Sequence, residues 1–480
     1  MDDVKIIKML VNEKKEDYYK LSDAIWDNPE TGLLEEKSQQ ILCEAIEREG
    51  FKVEKGVANI PTSFIGTWGE GEPVIGFSAE YDALPMLSQK SCSLKREAEV
   101  ENGPGHGCGH NLLGVGAIAA AFVLKTYMEK NNVKGTIKIF GTPSEERDAC
   151  KTFMARDGVF DNVDIGFTWH PHSINTVWEC GSLANTIAIF RFKGVSAHAA
   201  ASPHLGRSAL DACELMNVGV NYLREHVPSD VRMHYAYIDV GGSAPNVVQQ
   251  NAAVYYFVRA PKMADSTAAY KRVIECARGA AIMTGTELET ELVVALSDFI
   301  ANPTLSSLME KSMIDLGPQE FEEEDFELAK KYMETLSDDE INAQKNEVAS
   351  IIGSQKAEEI AEKGLMQEYM HTGAERIGLG TGSTDVGDFS YCVPTAQCLV
   401  ATTAFGTPLH SWQRTAQGKS NIAKKGMDKA VEIMALTALR ALNDPSIIKK
   451  AKEELKEMIG GEYKCPLPKE AILRDPKLIS

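Results

Sequence analysis

The sequence predicts an α/β fold in which helices flank a mixed sheet and a ferredoxin-like unit is inserted into the chain. Strand-like segments alternate with helical segments over residues 1–185, which is typical of a sheet covered by helices. The order β-α-β-β-α-β follows over residues 186–298, and this is the ferredoxin-like order. The mixture of helices and strands resumes over residues 299–480. We therefore expect one domain in two parts, 1–185 and 299–480, with the domain of residues 186–298 inserted between them.

The first part begins with two predicted helices and continues with three predicted strands. One helix runs to about residue 24, and the second, EEKSQQILCEAIEREG, ends at Gly50, since glycine commonly stops helices. The strand-like pieces are TSFIGTW, PVIGFSAEYDALP and GTIKIFGTP. The polar, glycine-rich segment LPMLSQKSCSLKREAEVENGPGHG is predicted to be a long loop over the edge of the sheet. The apolar run LLGVGAIAAAFVLKTYMEK that follows predicts a buried helix.

The inserted unit and the last part are predicted from the same patterns. Strands are expected at ANTIAIFRFKG, VRMHYAYIDVGG, AAVYYFVRAP and ELETELVVAL, and helices at GRSALDACELMNVGVNYLREH and ADSTAAYKRVIECARGAAIMTG. The segment FEEEDFELAKKYMETLSDDE is acidic and predicts a helix with a solvated face. NIAKKGMDKAVEIMALTALRALN predicts a strongly amphipathic helix near the C-terminus.

The composition limits the classes of partner. The 480 residues carry 50 basic and 69 acidic side chains, a net charge of −19, which disfavours nucleic acid and anionic membranes. No apolar stretch is expected to be long enough to cross a membrane. The N-terminus MDDVKIIKML lacks the apolar centre of a signal peptide, which favours the cytoplasm. The ten cysteines include no CxxC pair and are expected to be reduced thiols.

Four short motifs place potential metal ligands in turns and at strand ends. They are GHGCGH with Cys108 and His110, GTPSEE with Glu145 and Glu146, DIGFTWHPH with His170 and His172, and FGTPLHSW with His410. Open α/β folds place their sites at the carboxyl ends of strands. A thiolate, imidazoles and carboxylates together favour zinc or another borderline divalent metal. In the adjacent glutamate pair, one carboxylate can bind metal while the other takes a proton from water.

In their order along the chain, these motifs resemble those of the co-catalytic metallopeptidases, a family that includes glutamate carboxypeptidase and the aminoacylases. The resemblance is greatest to the branch with a cysteine ligand, the amidohydrolases of the auxin-conjugate and hippurate type. The resembling stretches are DNPETGLLEEKS, GVANIPTSFIG, EYDALPMLSQ, GHGCGHNLLG, GTPSEE, VSAHAAASPHLGRSALDA, GGSAPNVVQQNAAVYYFVRAP, GSTDVGDFSYCVPTAQ and GTPLHSWQ. Relatives outside this branch carry an H-x-D ligand motif where this chain reads AEYDALP, and many relatives read NVVPD where it reads NVVQQ.

The resemblance implies a metal-binding catalytic domain with two divalent ions, zinc or manganese. It implies that the metal ligands are Cys108, His110, Glu146, His170 and His410. It makes Glu145 the general base. Because AEYDALP contains no histidine, one metal is expected to depend on the CGH turn.

The inserted domain resembles the dimerisation or lid domain of the family. The resemblance implies that His198 reaches the active site of the neighbouring subunit and stabilises the oxyanion. It also implies that Asn246 and Arg259 hold the carboxylate of the substrate, and that Gly382 and Ser383 line the substrate pocket. A homodimer or a pairing with a related subunit is therefore expected.

The implied reaction is hydrolysis of an amide to a C-terminal amino acid, with p-aminobenzoyl-glutamate as the preferred substrate. Dipeptidase and N-acyl-amino-acid hydrolase activities stay open as alternatives within the family. A non-catalytic subunit of a hetero-oligomeric hydrolase is disfavoured because Glu145 and all five implied ligands are present. A cysteine hydrolase with Cys108 as nucleophile and His110 as base is disfavoured because two residues on one turn are poorly placed for that pairing.

Overall fold

A computed structural model describes residues 2–371 and 382–474. The helices are α1 Asp3–Trp26, α2 Glu36–Arg48, α3 His110–Asn131, α4 Cys150–Arg156, α5 Ala209–Leu223, α6 Met263–Thr284, α7 Pro303–Leu316, α8 Glu323–Met333, α9 Asp338–Ile352, α10 Ser354–Lys363, α11 Val386–Cys392, α12 Trp412–Gln417, α13 Asn421–Asn443 and α14 Pro445–Ile459. The strands are β1 Lys52–Lys55, β2 Phe64–Glu70, β3 Val74–Ala79, β4 Gly135–Gly141, β5 Ile165–His172, β6 Thr176–Val177, β7 Ala184–Lys193, β8 Arg232–Asp239, β9 Asn251–Ala260, β10 Glu287–Leu296 and β11 Thr395–Ala401.

The larger sheet is mixed and contains seven strands in the order β1-β2-β4-β3-β5-β11-β6. Its four central strands, β4, β3, β5 and β11, run parallel to one another, whereas β1, β2 and β6 pair antiparallel. Because the central strands are parallel, their carboxyl ends meet at one edge. The segments that follow β3 and β4, the end of β5 and the turn after β11 are therefore neighbours in space, as the predicted α/β fold requires.

Helix α3 is the central helix of this domain and packs directly on the sheet. Nearly every residue from its start to Lys125 is buried, which fits its uninterrupted apolar sequence. The close approach of α3 needs glycine, since a Cβ on Gly114 would lie 2.4 Å from the carbonyl oxygen of Glu80, the residue after β3. A Cβ on Gly116 would lie 2.7 Å from Nε1 of Trp169 in β5. The packing of α3 therefore fixes where its first residue, His110, lies.

The expectation that no apolar stretch could cross a membrane is wrong as regards length. Helix α3, with 22 residues, is long and apolar enough by length and composition, but 83% of its apolar window is buried inside the protein. Helix α3 is therefore a core helix of the larger domain.

The smaller sheet has four antiparallel strands in the order β10-β7-β9-β8. With α5 and α6 it forms the predicted β-α-β-β-α-β unit, and both helices cover one face of the sheet. The opposite face carries Ile187, Ile189 and Val293, which cluster with Ala149 of the larger domain. The exact limits at residues 186 and 298 stay a prediction; the first strand begins at Ala184 and the last ends at Leu296.

The acidic segment after residue 320 forms two helices, α8 and α9. The break between them is set by Ser337, whose side chain accepts a hydrogen bond from the backbone N–H of Glu340. The predicted amphipathic helix near the C-terminus is α13, and most of its length is buried in the main core.

Replacement of Gly114 by alanine is expected to destabilise the protein by about 1–3 kcal/mol, because the new methyl group would push α3 away from β3. The apparent melting temperature should fall, which differential scanning calorimetry would measure. Gly279→Ala in α6 is the matched control, since no atom lies within 4 Å of a Cβ there. That change should leave stability equal or raise it by about 0.4–1 kcal/mol. Equal melting temperatures for the two variants would contradict the close packing of α3.

Candidate metal centre

Five side chains from four segments converge at the carboxyl edge of the larger sheet. They form two groups, and within each group the potential ligand atoms lie within 4.8 Å of one another. One group contains Cys108, His110 and His170, and the other contains Cys108, Glu146 and His410. Cys108 belongs to both groups. Sγ of Cys108 lies 3.3 Å from Nε2 of His170, and Nε2 of His410 lies 3.1 Å from Oε1 of Glu146. The arrangement could hold two metal ions that share the cysteine sulfur.

Two local backbone conformations bring these residues together. Gly109 has φ of 86°, a left-handed conformation that lets the chain turn from Cys108 directly into α3 at His110. His410 also has positive φ, 56°, and its backbone N–H donates to the carbonyl of Gly107 at 3.0 Å. The turn that carries His410 is therefore hydrogen-bonded to the turn that carries Cys108.

Hydrogen bonds orient two of the imidazoles toward the centre. Nδ1 of His110 lies 2.9 Å from Oδ1 of Asp82, and Nδ1 of His170 lies 2.8 Å from the carbonyl oxygen of Pro171. Both oxygens accept, so Nδ1 carries the proton and the lone pair of Nε2 is free for a metal. Nε2 of His110 is buried and 3.3 Å from Oε2 of Glu80, without a hydrogen bond of normal geometry. These residues therefore fit a pair of divalent ions.

The electrostatics favour a thiolate at the shared position. Burial alone would raise the pKa of Cys108, but His170 and His110 lower it well below its usual range. The contacts of His410 with Cys108 and Glu146 raise the pKa of His410 to about 10. Burial raises the pKa of Glu146 to about 7. An anionic sulfur is the form that binds metal.

Glu145 lies beside the ligand groups, in a third cluster with Glu80 and His110. Burial raises its pKa well above the usual range, and the carboxylates of Glu80 and Glu146 add to this shift. The buried ammonium of Lys151 offsets part of this negative charge, since it lies 2.7 Å from Glu80 and 2.6 Å from Asp385. The buried ammonium of Lys151 thus stabilises the carboxylates of Glu80 and Asp385 beside the ligand groups.

The implied lid residues lie on the smaller domain. His198 and Asn246 are both exposed and adjacent, since the N–H of Ala199 donates to the carbonyl of Asn246 at 2.9 Å. Nδ1 of His198 accepts from the N–H groups of Ala200 and Ala201 at 3.2 and 3.1 Å, so the proton of a neutral ring lies on Nε2. Within residues 2–371 and 382–474, no hydrogen bond or ion pair joins His198 or Asn246 to the five side chains.

Arg259 and the segment of Gly382 and Ser383 lie nearer the larger domain. Arg259 is on the face of β9 that carries Phe257, and its buried Nε has no hydrogen-bond partner among the described residues. Its cross-strand neighbour Asn185 is buried, and Oδ1 of that residue is also without a partner in the described part of the chain. The carbonyl of Gly382 accepts from the N–H of Leu183 at 2.9 Å, which places Ser383 beside the start of β7.

Sequence reasoning missed four residues at the centre: Glu80, Asp82, Lys151 and Arg414. The AEYD stretch contains no histidine, yet Asp82 from it contacts His110 and also accepts from the N–H of Glu146 at 3.0 Å. The sequence did contain a signal for these two residues, because Glu80 and Asp82 place a pair of carboxylates directly after a buried strand. A lysine inside the apolar stretch CKTFMA was a second available signal.

Comparison with known proteins agrees with this geometry. Residues 76–472 match the peptidase family M20/M25/M40. The chain is 40% identical over 463 residues to one of the subunits of the p-aminobenzoyl-glutamate hydrolase of Escherichia coli (strain K12), covering 96% of each chain. It is 27% identical to Xaa-Arg dipeptidase of Mus musculus, over 96% of this chain and 92% of that protein.

Solved structures share the fold. A dinuclear metal binding peptidase of the M20 family from Bacillus subtilis superposes with a TM-score of 0.56 at 17% identity, covering 89% of this chain and 99% of that one. The match to the family extends over most of the chain. The two relatives that align over nearly their full length are hydrolases of amide bonds. This chain belongs to peptidase family M20/M25/M40 and is a hydrolase acting on amide bonds.

Proposed function

We propose that this chain is a metal-dependent amidohydrolase of the carboxypeptidase type that cleaves p-aminobenzoyl-glutamate. The observation that supports it is the pair of ligand groups that share Cys108, with Glu145 beside them. The E. coli relative is named for the hydrolysis of this substrate and covers nearly the whole chain. When bound, two divalent ions would polarise the scissile carbonyl and lower the pKa of the attacking water.

Glu145 acts as the general base in this proposal. It adjoins Glu146, which belongs to a ligand group, and shares the third cluster with His110. The charge of divalent ions bound beside it would favour the ionised form of Glu145 despite its burial. The carboxylate takes a proton from the attacking water and returns it to the nitrogen of the leaving amino acid. Because one carboxylate carries the proton both ways, the reaction needs no separate acid.

Arg259 binds the carboxylate of the substrate in this proposal. Among the described residues, its guanidinium has no carboxylate within salt-bridge distance, and its buried Nε has no hydrogen-bond partner. A planar guanidinium binds a carboxylate through two parallel hydrogen bonds. A substrate held at that end is positioned before attack at the amide.

His198 supplies the oxyanion donor to the site of a partner molecule. Its Nε2 carries the proton in the neutral ring, and the residue is exposed on the smaller domain. The partner is a second copy or a related chain, since the E. coli relative is itself named as one subunit of a hydrolase. A preorganised donor of this kind is worth about 10²–10³ in kcat.

A dipeptidase or an N-acyl-amino-acid hydrolase is the second candidate. The 27% identity to the Xaa-Arg dipeptidase of Mus musculus over 96% of this chain supports it. The net charge of −19 also favours the approach of a cationic substrate. Assays of p-aminobenzoyl-glutamate, Xaa-Arg dipeptides and N-acyl amino acids side by side would separate these candidates by kcat/KM.

Removal of the shared cysteine should abolish both metal sites, whereas removal of an unshared ligand should abolish one. Purified Cys108→Ala is expected to hold almost no metal, and His170→Ala and His410→Ala about half of the wild-type content. Inductively coupled plasma emission would measure the stoichiometry. His172→Ala is the matched control, because His172 belongs to neither ligand group. A Cys108→Ala protein that keeps one full equivalent of metal would contradict the shared sulfur.

Substitution of the proposed base should separate chemistry from metal binding. Glu145→Gln is expected to lower kcat for p-aminobenzoyl-glutamate by about 10²–10⁴ while the bound metal stays at the wild-type level. The same assay before and after treatment with a chelator tests the dependence on metal. If the variant kept wild-type kcat, the role of Glu145 would be wrong; if it lost its metal as well, Glu145 would be a ligand.

The interface predicted for the partner lies along strand β8 and helix α5. Strand β8 is an edge strand whose backbone groups are open on one side, and Tyr235 and Tyr237 are exposed on it. Val218 and Tyr222 of α5 are 51% and 74% exposed, so apolar surface continues beside the strand.

Tyr222→Glu should therefore dissociate the oligomer and lower activity together, because His198 of one chain serves the other. Sedimentation velocity and kcat at matched concentrations would test this. Ile314→Glu in α7 is the control, since Ile314 is 59% exposed but lies on the larger domain. A dissociated variant with full kcat would show that each chain carries a complete site.

A further inference from the structure

Arg414 is a fully buried cation, and the part of the chain that the structure describes places no carboxylate beside it. The residue is 2% exposed, and no carboxylate of the described residues lies within salt-bridge distance of its guanidinium. Burial of an unpaired charge is costly unless hydrogen bonds and a counter-charge compensate it. The contacts of this guanidinium must therefore compensate the cost of burying its charge.

The guanidinium donates to three acceptors on separate segments. Nε lies 3.4 Å from the carbonyl oxygen of Cys108, and Nη1 lies 3.5 Å from Oγ1 of Thr403. Nη2 donates to the carbonyl oxygen of Pro171. Nη2 also lies 3.6 Å from the place that a Cβ on Gly109 would occupy, so the turn after Cys108 passes directly against it.

These acceptors connect the segments that carry the proposed ligands. The carbonyl of Cys108 belongs to a proposed ligand itself, and Pro171 follows His170 in β5. Arg414 stands in α12, which begins two residues after His410. The N–H of Arg414 donates to Oγ of Ser411 at 3.2 Å, which fixes α12 to the residue next to His410. One side chain thus links the turn of Cys108 and His110, the end of β5 and the turn of His410.

The charge of Arg414 also has a counterpart in the centre. Nε of Arg414 reaches the backbone of Cys108 itself, the residue whose sulfur is common to both ligand groups. A guanidinium stays protonated at neutral pH, and a thiolate is the form of cysteine that binds metal. The buried cation therefore complements the anionic sulfur at the shared position.

We propose that Arg414 is a positioning residue that holds the Cys108 turn and the His170 strand end at the separation a shared pair of metal ions requires. This inference rests on the proposed metal centre and adds a residue that touches neither metal nor substrate. The forked geometry of the guanidinium is essential to this role, because one side chain must reach two carbonyl oxygens on different segments. Outer partners of this kind typically change metal affinity by about 10- to 100-fold.

The test is a titration of metal-free protein with Co²⁺, followed by the absorption of the cobalt–thiolate bond. Arg414→Met and Arg414→Lys are both expected to bind Co²⁺ about 10- to 100-fold more weakly than wild type, with a shifted thiolate band. Arg440→Met in α13 is the matched control. Arg440 is also hydrogen-bonded, to Ser312 at 3.2 Å and to Asp315 at 2.6 Å, and it is not among the site residues.

Wild-type affinity and an unchanged band in Arg414→Met, with only a lower melting temperature, would overturn the proposal and leave a purely structural role. Wild-type affinity in Arg414→Lys would also overturn it, because charge alone would then suffice. If Arg414→Met does not fold, Arg414→Lys, which keeps the buried charge, carries the test. If wild-type protein gives no thiolate band, the metal centre itself is wrong, and this inference is overturned with it.

Discussion

The buried carboxylate of Asp82 is the contact on which the arrangement of the site depends. It is 1% exposed, accepts from Nδ1 of His110 and accepts from the backbone N–H of Glu146. One oxygen thus orients His110, a proposed ligand of the first group, and the other fixes the turn that carries Glu146, a proposed ligand of the second. Burial alone would raise the pKa of Asp82, but His110 and the backbone N–H of Glu146 lower it below its usual value. The same two hydrogen bonds fix the side chain of Asp82 and align the two ligand groups with each other.

The parallel centre of the sheet and the inserted unit supply different parts of the proposed chemistry. The four parallel strands bring the proposed ligands from distant parts of the chain to one edge of the sheet. The inserted unit carries His198, Asn246 and Arg259, which we assign to the oxyanion and the carboxylate of the substrate. His198 and Asn246 are exposed, and in the described residues no hydrogen bond or ion pair joins them to the proposed ligands of their own chain. We therefore infer that the inserted unit contributes to substrate binding in a neighbouring molecule.

The sequence predicted those features that local pattern determines. Alternation and amphipathic periodicity predicted the inserted β-α-β-β-α-β unit, and the helix predicted at residues 421–443 has the bounds of α13. The ligand candidates were visible because a CGH turn and a Glu pair at strand ends are unusual. Strand β1 was not predicted, since its four residues are mostly exposed and show no apolar alternation. The roles of Asp82 and Arg414 were not visible because their partners are distant in sequence and, for Arg414, are backbone carbonyls without a side-chain signature.

The two glycines of α3 have a consequence for how this protein tolerates variation. Gly114 lets the helix touch the backbone of Glu80, and Gly116 lets it touch Trp169, the residue before His170. Both neighbours belong to the segments that carry the acidic and imidazole groups of the centre. A methyl group at either position would therefore shift the segments that carry these groups as well as the packing of the core. A directed-evolution library that protects only the residues touching metal or substrate would still lose function at these two positions, which should be held fixed with them.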